Sequence, residues 1–366
     1  MTTLMQASRQ WATRPMDQRF LSLHELGAKA RFERDRSRGK IMSSRKLTAM
    51  PADDDPIKGL QLVGGEGTPA LMSHWSAGQV SQLAGVPVGY LRGLPAPLAA
   101  DNLNFGLKVA RDIEDVGLLL TKHDEHLELR AATGPRYGRI WNADIVDALV
   151  NRFGDGRTGD FRVPGEFGKQ VDIDRGNTTI YGSDRDMFVF LADEEHRIEV
   201  GNRRNGQPGS LARGFFVWNS EVGSQSMGAA FFLFDYVCMN RIVWGVQDFK
   251  EIRLRHTVSA PEKWLRDITP VLAEYANAAA APIEQTIKAA QAKKVSDDLD
   301  AFLASRFTRS EATQIKAAHE REEGRPIETL WDVTTAVTAH AKSIDWQDER
   351  VAMERKGGKI LDLVAA

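Results

Sequence analysis

Apolar and polar positions along the chain fall into successive regimes. From Ser76, SAGQVSQLAGVPVGYLRGLP has a Ser cap, helical apolar spacing and a Gly-Val-Pro break, which predicts two short helices joined by a turn. The outline is that of a helix-turn-helix, and equally of a helical pair that only packs. From residue 116 the period shortens to two, and VGLLLTKHDEHLELRAAT predicts two strands about a turn at Asp124-Glu125. PRYGRIWNADIVDALVNRF then predicts a strand, an Asn142 N-cap and an amphipathic helix carrying Ile145, Leu149, Val150 and Phe153, ended by GDGRTGD. LVGGEGTPALM, at 62–72, reads as a loop, and its glycines lack the context and the Lys-Ser/Thr ending of a phosphate-binding loop.

Residues 178–258 carry the strongest strand pattern. TTIYGSDRDMFVFLADEEHRIEV predicts one or two strands, NRRNGQPGS a polar turn, and LARGFFVWNSE another strand. SMGAAFFLFDYVCMNRIVWG is apolar on nearly every side, so periodicity leaves strand and helix both open. Between them lies a polar island, Asn219 to Ser224. It reads as a hairpin turn in which Gly223 supplies a positive backbone torsion, or as a site.

The last third is helical. PEKWLRDITPVLAEYANAAAAPIEQTIKAAQAKK is Ala-rich, with Pro261 near a helix start and Pro270 and Pro282 as breaks. Thr308 and Glu311 form a capping-box sequence that opens a helix, and Gly324 closes it. Two further helices follow, the second expected to stop at Gly357-Gly358. The expected fold is α+β, with a central β-rich, mostly antiparallel domain, covering helices and a C-terminal helical domain. The divisions fall at 1–60 (basic arm and linker), 61–114 (small helical region), 115–259 (β-rich domain) and 260–366 (helical domain).

Composition narrows the class. The 366 residues are 42% hydrophobic and 27% charged, enough to bury a real core. No run of eighteen apolar residues occurs and the N-terminus lacks a secretory pattern, so no membrane partner and a cytoplasmic place are expected. The one cysteine, Cys238, excludes an internal disulfide and reads as a core thiol. A net charge of -2 offers no global attraction to nucleic acid, so any such case is local. Residues 29–46 supply one, with eight Lys or Arg against two acids, and their sparse apolar content predicts an exposed, disordered arm.

Three chemistries compete for the central region. For nucleic acid, Arg203, Arg204 and Arg213 precede the aromatic strand and Arg241, Lys250, Arg253 and Arg255 follow it, with Arg36 and Arg38 on the arm. Strand alternation puts Arg253 and Arg255 on one face, and Trp218, with Phe215, Tyr181 or Trp244, is available for base stacking. The competing reading is a solvated charged face over an aromatic core. For hydrolysis, Asp184, Asp186, Asp193, Glu194, Glu195, His196, Glu199 and Glu221 are enough carboxylates to hold a divalent ion, yet no pair has a diagnostic spacing. Ser220 with Glu221 and His256 lacks the nucleophile-elbow sequence, and His123 with His126 lacks a third metal ligand. Neither a catalytic residue, a metal nor a cofactor is assigned.

The order WNSEVGSQSM, an apolar segment ending VCMNRIVWG, then KEIRLRHT resembles the domain-of-unknown-function 932 family of phage and plasmid proteins. The family motif falls on Asn219, Ser220, Glu221, Gly223, Cys238 and Asn240. Glu221 stands where many members have His, and Arg241 where Gly or Thr is preferred. The resemblance spans about residues 115–260 and extends weakly to LWDVTTAVTAHAK. It implies a mobile-element context and no activity. Combined with the cations, it leads to an expected nucleic-acid-binding protein, with single-stranded DNA as partner and annealing by a homo-oligomer in recombination or replication. The alternatives are a counter-defence protein holding a host protein or small molecule through the island, and a metal-dependent phosphodiester enzyme.

Overall fold

The computed structural model describes residues 14–52, 59–109, 115–163, 173–176, 178–203, 207–235, 240–244, 251–344 and 347–364. The chain begins with β1 (Arg19–Phe20), α1 (Leu23–Asp35), β2 (Ser37–Ser43), β3 (Leu47–Pro51), β4 (Leu60–Gly64) and β5 (Ala70–Met72). Three helices follow, α2 (His74–Leu83), α3 (Val88–Leu91) and α4 (Ala96–Val109), then the hairpin β6 (Asp115–Lys122) and β7 (Leu127–Thr133). Strands β2 to β7 form an N-terminal sheet in the order β2-β6-β7-β5-β4-β3, with β5 and β7 parallel and every other pair antiparallel.

Two expectations fail here. Residues 29–46 are ordered, because Leu23, Leu26 and Ala30 bury one face of α1 and β2 pairs with β6 from Ser37↔Thr121 to Ser43↔Asp115. Backbone ladder bonds hold β2 while most of its side chains stay in water. Residues 62–72 are no loop either, since they carry β4, a turn and β5, and region 61–114 adds strands to its helices. The sheet's β3 edge is closed by a side chain. Asn104 of α4 accepts the Ala49 N–H at 2.7 Å and donates to the Ala49 carbonyl at 2.8 Å, standing in for a neighbouring strand.

The central region comprises α5 (Asn142–Phe153), β8 (Phe161–Arg162), β9 (Ile180–Gly182), β10 (Met187–Asp193) and β11 (Ile198–Arg203). It continues with β12 (Gln207–Asn219), β13 (Met227–Asp235), β14 (Asn240–Ile242) and β15 (Ile252–Leu254). With β1 these strands build a second, wholly antiparallel sheet along β1-β9-β10-β12-β13-β14, onto which β8, β11 and β15 pair. Both faces of its middle are buried. Phe215, Val217 and Phe231 face a core shared with α1 and α5, whereas Phe216, Trp218 and Phe232 face the opposite core. Burial on both sides explains why the sequence shows no alternation there.

The C-terminal layer is α6 (Ala260–Lys263), a π turn over Trp264–Ile268, α7 (Thr269–Asn277), α8 (Ala281–Ala292), α9 (Leu299–Ala304), α10 (Arg309–Glu323), α11 (Leu330–Ala341) and α12 (Gln347–Leu361). Trp264 and Tyr275 cover the Phe231 side of the sheet, with Tyr275 and Phe231 ring centroids 4.4 Å apart. All twelve residues of α11 are buried, so it forms the axis of the helical layer. The capping box at Thr308 and Glu311 forms as expected, and Thr329 with Asp332 makes a second one at α11.

One helix end differs. α12 runs through Gly357-Gly358 to Leu361. A Cβ on Gly358 would collide with the Val243 carbonyl, and one on Gly357 would meet Thr338 Cγ2 at 2.8 Å, so these glycines allow close packing and do not stop the helix. The fold is α+β. Among the described residues no helix is long and apolar enough to cross a membrane.

Candidate nucleic-acid interface

The polar island joins β12 to β13, with Gly223 at φ 84° at its tip. It differs from an ordinary hairpin turn in being buried. Asn219, Ser220, Glu221 and Val222 are at most 2% exposed, because the connection lies against the N-terminal sheet. Val222 packs on Leu119 and Ala131, between Trp75 and Trp141.

Most polar groups of the island are tied to another element. Asn219 Nδ2 donates to the Ile140 carbonyl and to Asn142 Oδ1, both at 2.8 Å, and Ser220 Oγ donates to the Arg185 carbonyl at 2.7 Å. Tyr137 and Arg139 donate to the Ser220 and Glu221 carbonyls, each at 2.8 Å. Trp75 and Gln79 both donate to the Val222 carbonyl. Glu221 accepts from Arg130 Nη2 at 3.0 Å and from the Asn142 N–H at 2.8 Å. The second bond places a carboxylate at the N-terminus of α5, where the helix dipole favours it. Trp141, not Asn142, is the N-cap, so a side chain from residue 221 does the work assigned to Asn142.

Burial pushes the Glu221 carboxyl up, while Arg130 and the Asn142 N–H pull against it. Burial works against the Arg130 cation too, but Glu221 and Glu33 more than offset it and hold its pKa above the ordinary value. The pair is a structural tie between the two sheets. A partner molecule finds no exposed surface on the island's first four residues.

The cations expected to form a track divide sharply. Arg213 is buried, pairs with Asp193 at 3.4 Å and donates to the Ala278 carbonyl. Arg241 is buried, pairs with Glu354 at 3.1 Å and lies over the Phe190 ring. Neither faces solvent, which corrects their place in a surface track. Trp218 is 5% exposed, with its indole laid over Gly228, so base stacking on it is also corrected. Phe215 and Trp244 are buried as well. Arg253 is 62% exposed, pairs with Glu251 and lies 6.0 Å from the Trp218 ring centroid. Arg255 is exposed. The backbone of Arg203 lies in β11 and that of Asn240 in β14, whereas Arg204, Cys238 and Lys250 lie outside the described residues.

Unpaired positive charge gathers elsewhere. Arg38 and Lys40 on β2, with Arg45 and Lys46 on the turn to β3, are exposed and make no ion pair among the described residues. Residues 36–52 contain five cations and no acid. Arg36 is partly spent, pairing with Asp124 at 2.9 Å while its guanidinium covers Phe32 at 4.1 Å. Phe32 itself is 55% exposed. Of this group the sequence reading singles out only Arg36 and Arg38. The signal for Lys40, Arg45 and Lys46 was the same run of eight cations, read as an arm and not as a strand.

The carboxylates do not converge. Asp186 pairs with Arg14, and Asp193 is held by Arg213, the His196 ring and two backbone N–H groups. No three His, Cys, Asp or Glu among the described residues could hold a metal ion. His123 pairs with Glu128 and stacks on His126, with centroids 4.8 Å apart. Ser220 Oγ is spent on Arg185, and His256 Nδ1 faces the Gly138 carbonyl, so these two do not form a nucleophile and base.

No curated protein and no solved structure matches the chain. The model of one family, described as Domain of unknown function (DUF932), matches residues 177–357, which takes in most of the central sheet and the C-terminal helices but not the β6–β7 hairpin. Through that span, which holds the island and its flanking strands, the chain belongs to the DUF932 family.

Proposed function

We propose that the protein binds single-stranded nucleic acid along the β2 edge of the N-terminal sheet, with strand annealing by an oligomer as the activity this binding serves. The observation that carries the reading is the contrast between cations. Arg213 and Arg241 are consumed inside the fold, whereas Arg38, Lys40, Arg45 and Lys46 stand in water without acidic partners. Strand geometry separates Arg38 and Lys40 by about 6.6 Å on one face, so successive cations can follow a phosphate backbone. Phe32 adds an exposed ring at one end of the strip, and stacking of a base on such a ring is worth about 1 to 3 kcal/mol.

A narrow strip on a sheet edge, carried by a strand and a turn, favours a single strand over a duplex. The strip lies outside the residues matched by the family, so the reading belongs to this chain and not to the family. Titration of labelled single- and double-stranded oligonucleotides of equal length, at low and moderate salt, tests it. Salt-sensitive binding that prefers the single strand is expected. No binding to either at low salt overturns it.

A further inference from the structure

The N-terminal sheet is curled, helices α2 to α4 pack on part of its inner face, and a space lined by strand and turn residues is left beside them. The register sets Lys40 opposite Leu118 and Arg38 opposite Leu120, so the cations of β2 and the leucines of β6 share one face. Leu127 and Leu129 of β7 and Leu62 of β4 continue that face through β5. Met42 of β2 closes the curl. Its sulfur lies 2.5 Å from where a Cβ on Gly64 of β4 would stand, a position open only because residue 64 is glycine.

Within the curl is a cavity of about 120 Å³, open on one side and lined by Met42, Leu62, Leu118, Leu120, Leu127 and Leu129. Lys40, Gly64, Gly67, Thr68 and Ala70 complete its lining, and Lys40 and Thr68 are exposed, so they mark its mouth. The Lys40 ammonium lies 3.8 Å from where a Cβ on Gly67 would stand. It makes no hydrogen bond or ion pair among the described residues, and exposed Glu66 in the adjacent turn does not pair with it. The leucine and methionine walls give water no partners, and since an apolar cavity of roughly 150 Å³ takes benzene, this slightly smaller one suits a slim alkyl chain. Met42, unbranched and flexible, lets the space adapt.

We infer that this cavity binds a short aliphatic carboxylate, its alkyl tail among the leucines and its carboxylate against Lys40, with Arg38 adding positive charge two residues along. The site stands independently of nucleic-acid binding, although Lys40 serves both. Each methylene drawn into the cavity strengthens binding by roughly fourfold, until the space is full at about the size of a six-carbon group.

The test is a methyl-region NMR titration of the full chain, labelled at Leu and Met, with hexanoate, butanoate, hexanol and hexylammonium. Saturable shifts at Leu118, Leu120 and Met42 are expected, with hexanoate binding more tightly than hexanol and roughly fifteenfold more tightly than butanoate, and hexylammonium weakest. Lys40→Ala, a surface change that leaves the apolar spectrum in place, should bring hexanoate down to the level of hexanol. Shifts confined to surface methyls, no saturation, or equal binding of hexanoate and hexylammonium overturns the assignment. Nucleic-acid affinity is read separately in the oligonucleotide titration, so failure of one leaves the other standing.

Discussion

Glu221 Oε2 and Arg130 Nη2 lie 3.0 Å apart across 91 residues of sequence, both almost wholly buried. This contact links the β12–β13 connection of the central sheet to β7 of the N-terminal sheet. The polar island is therefore a joint between two sheets.

Removing one member of a buried pair leaves an uncompensated charge, at a cost of about 3 to 5 kcal/mol. Glu221→Ala and Arg130→Leu are each expected to destabilise the protein by that amount in urea unfolding. The double variant Glu221→Leu with Arg130→Leu should lose much less than the sum, since no lone charge remains. Strict additivity would show that the pair carries no coupling.

Asp332 gives the stability a pH dependence. Burial opposes its charge, but Arg325 and the Glu328 and Thr329 N–H groups outweigh that and hold its carboxyl below the ordinary value. A carboxyl depressed in the folded state contributes stability that is present above its unfolded pKa and lost as pH falls through its folded pKa. Stability measured from neutral pH downward should fall over that acid window. Asp332→Asn should be weaker at neutral pH and flatter in acid, and an unchanged pH slope would contradict the assignment.

Gly358 tests the packing of α12. A methyl there meets the Val243 carbonyl, so Gly358→Ala is expected to cost about 1 to 3 kcal/mol as an overpacked contact. Gly89→Ala, in short α3 with open space about it, is the control and should not destabilise by more than a few tenths. Equal melting shifts for the two would show that α12 does not approach the central sheet this closely.

Trp218 separates core from ligand contact. Trp218→Ala is expected to cost about 3 to 5 kcal/mol, because the indole is buried among Phe188, Phe216 and Gly228. Trp218→Phe, which keeps most of the packing, should leave oligonucleotide affinity within twofold. A large loss of affinity with stability retained would return this ring to the binding surface.

The elements with a clear period were legible in the sequence, among them the β6–β7 hairpin, the amphipathic α5 and the capped α10. The central strands hid their type because both faces are buried, and β13 shows no alternation along AAFFLF. β2 hid because its ladder partner, β6, lies almost eighty residues away and its side chains are polar. The same cause misplaced the cations. Arg213 and Arg241 look like surface charges in one dimension, and their acids, Asp193 and Glu354, reach them only through strand pairing and the packing of α12. Glycines 357 and 358 carry the usual sign of a helix end, and only the nearness of Val243 and Thr338 gives them another reason.

The central claim is most directly tested by anisotropy titration of a labelled single-stranded oligonucleotide over a series of salt concentrations, comparing the wild type with the quadruple variant Arg38→Ala, Lys40→Ala, Arg45→Ala and Lys46→Ala. Each phosphate contact on a single strand contributes about 0.7 to the slope of log affinity against log salt. The account predicts weaker binding and a slope shallower by roughly 2 to 3, with circular dichroism unchanged. Identical affinity and slope in a folded variant would contradict it.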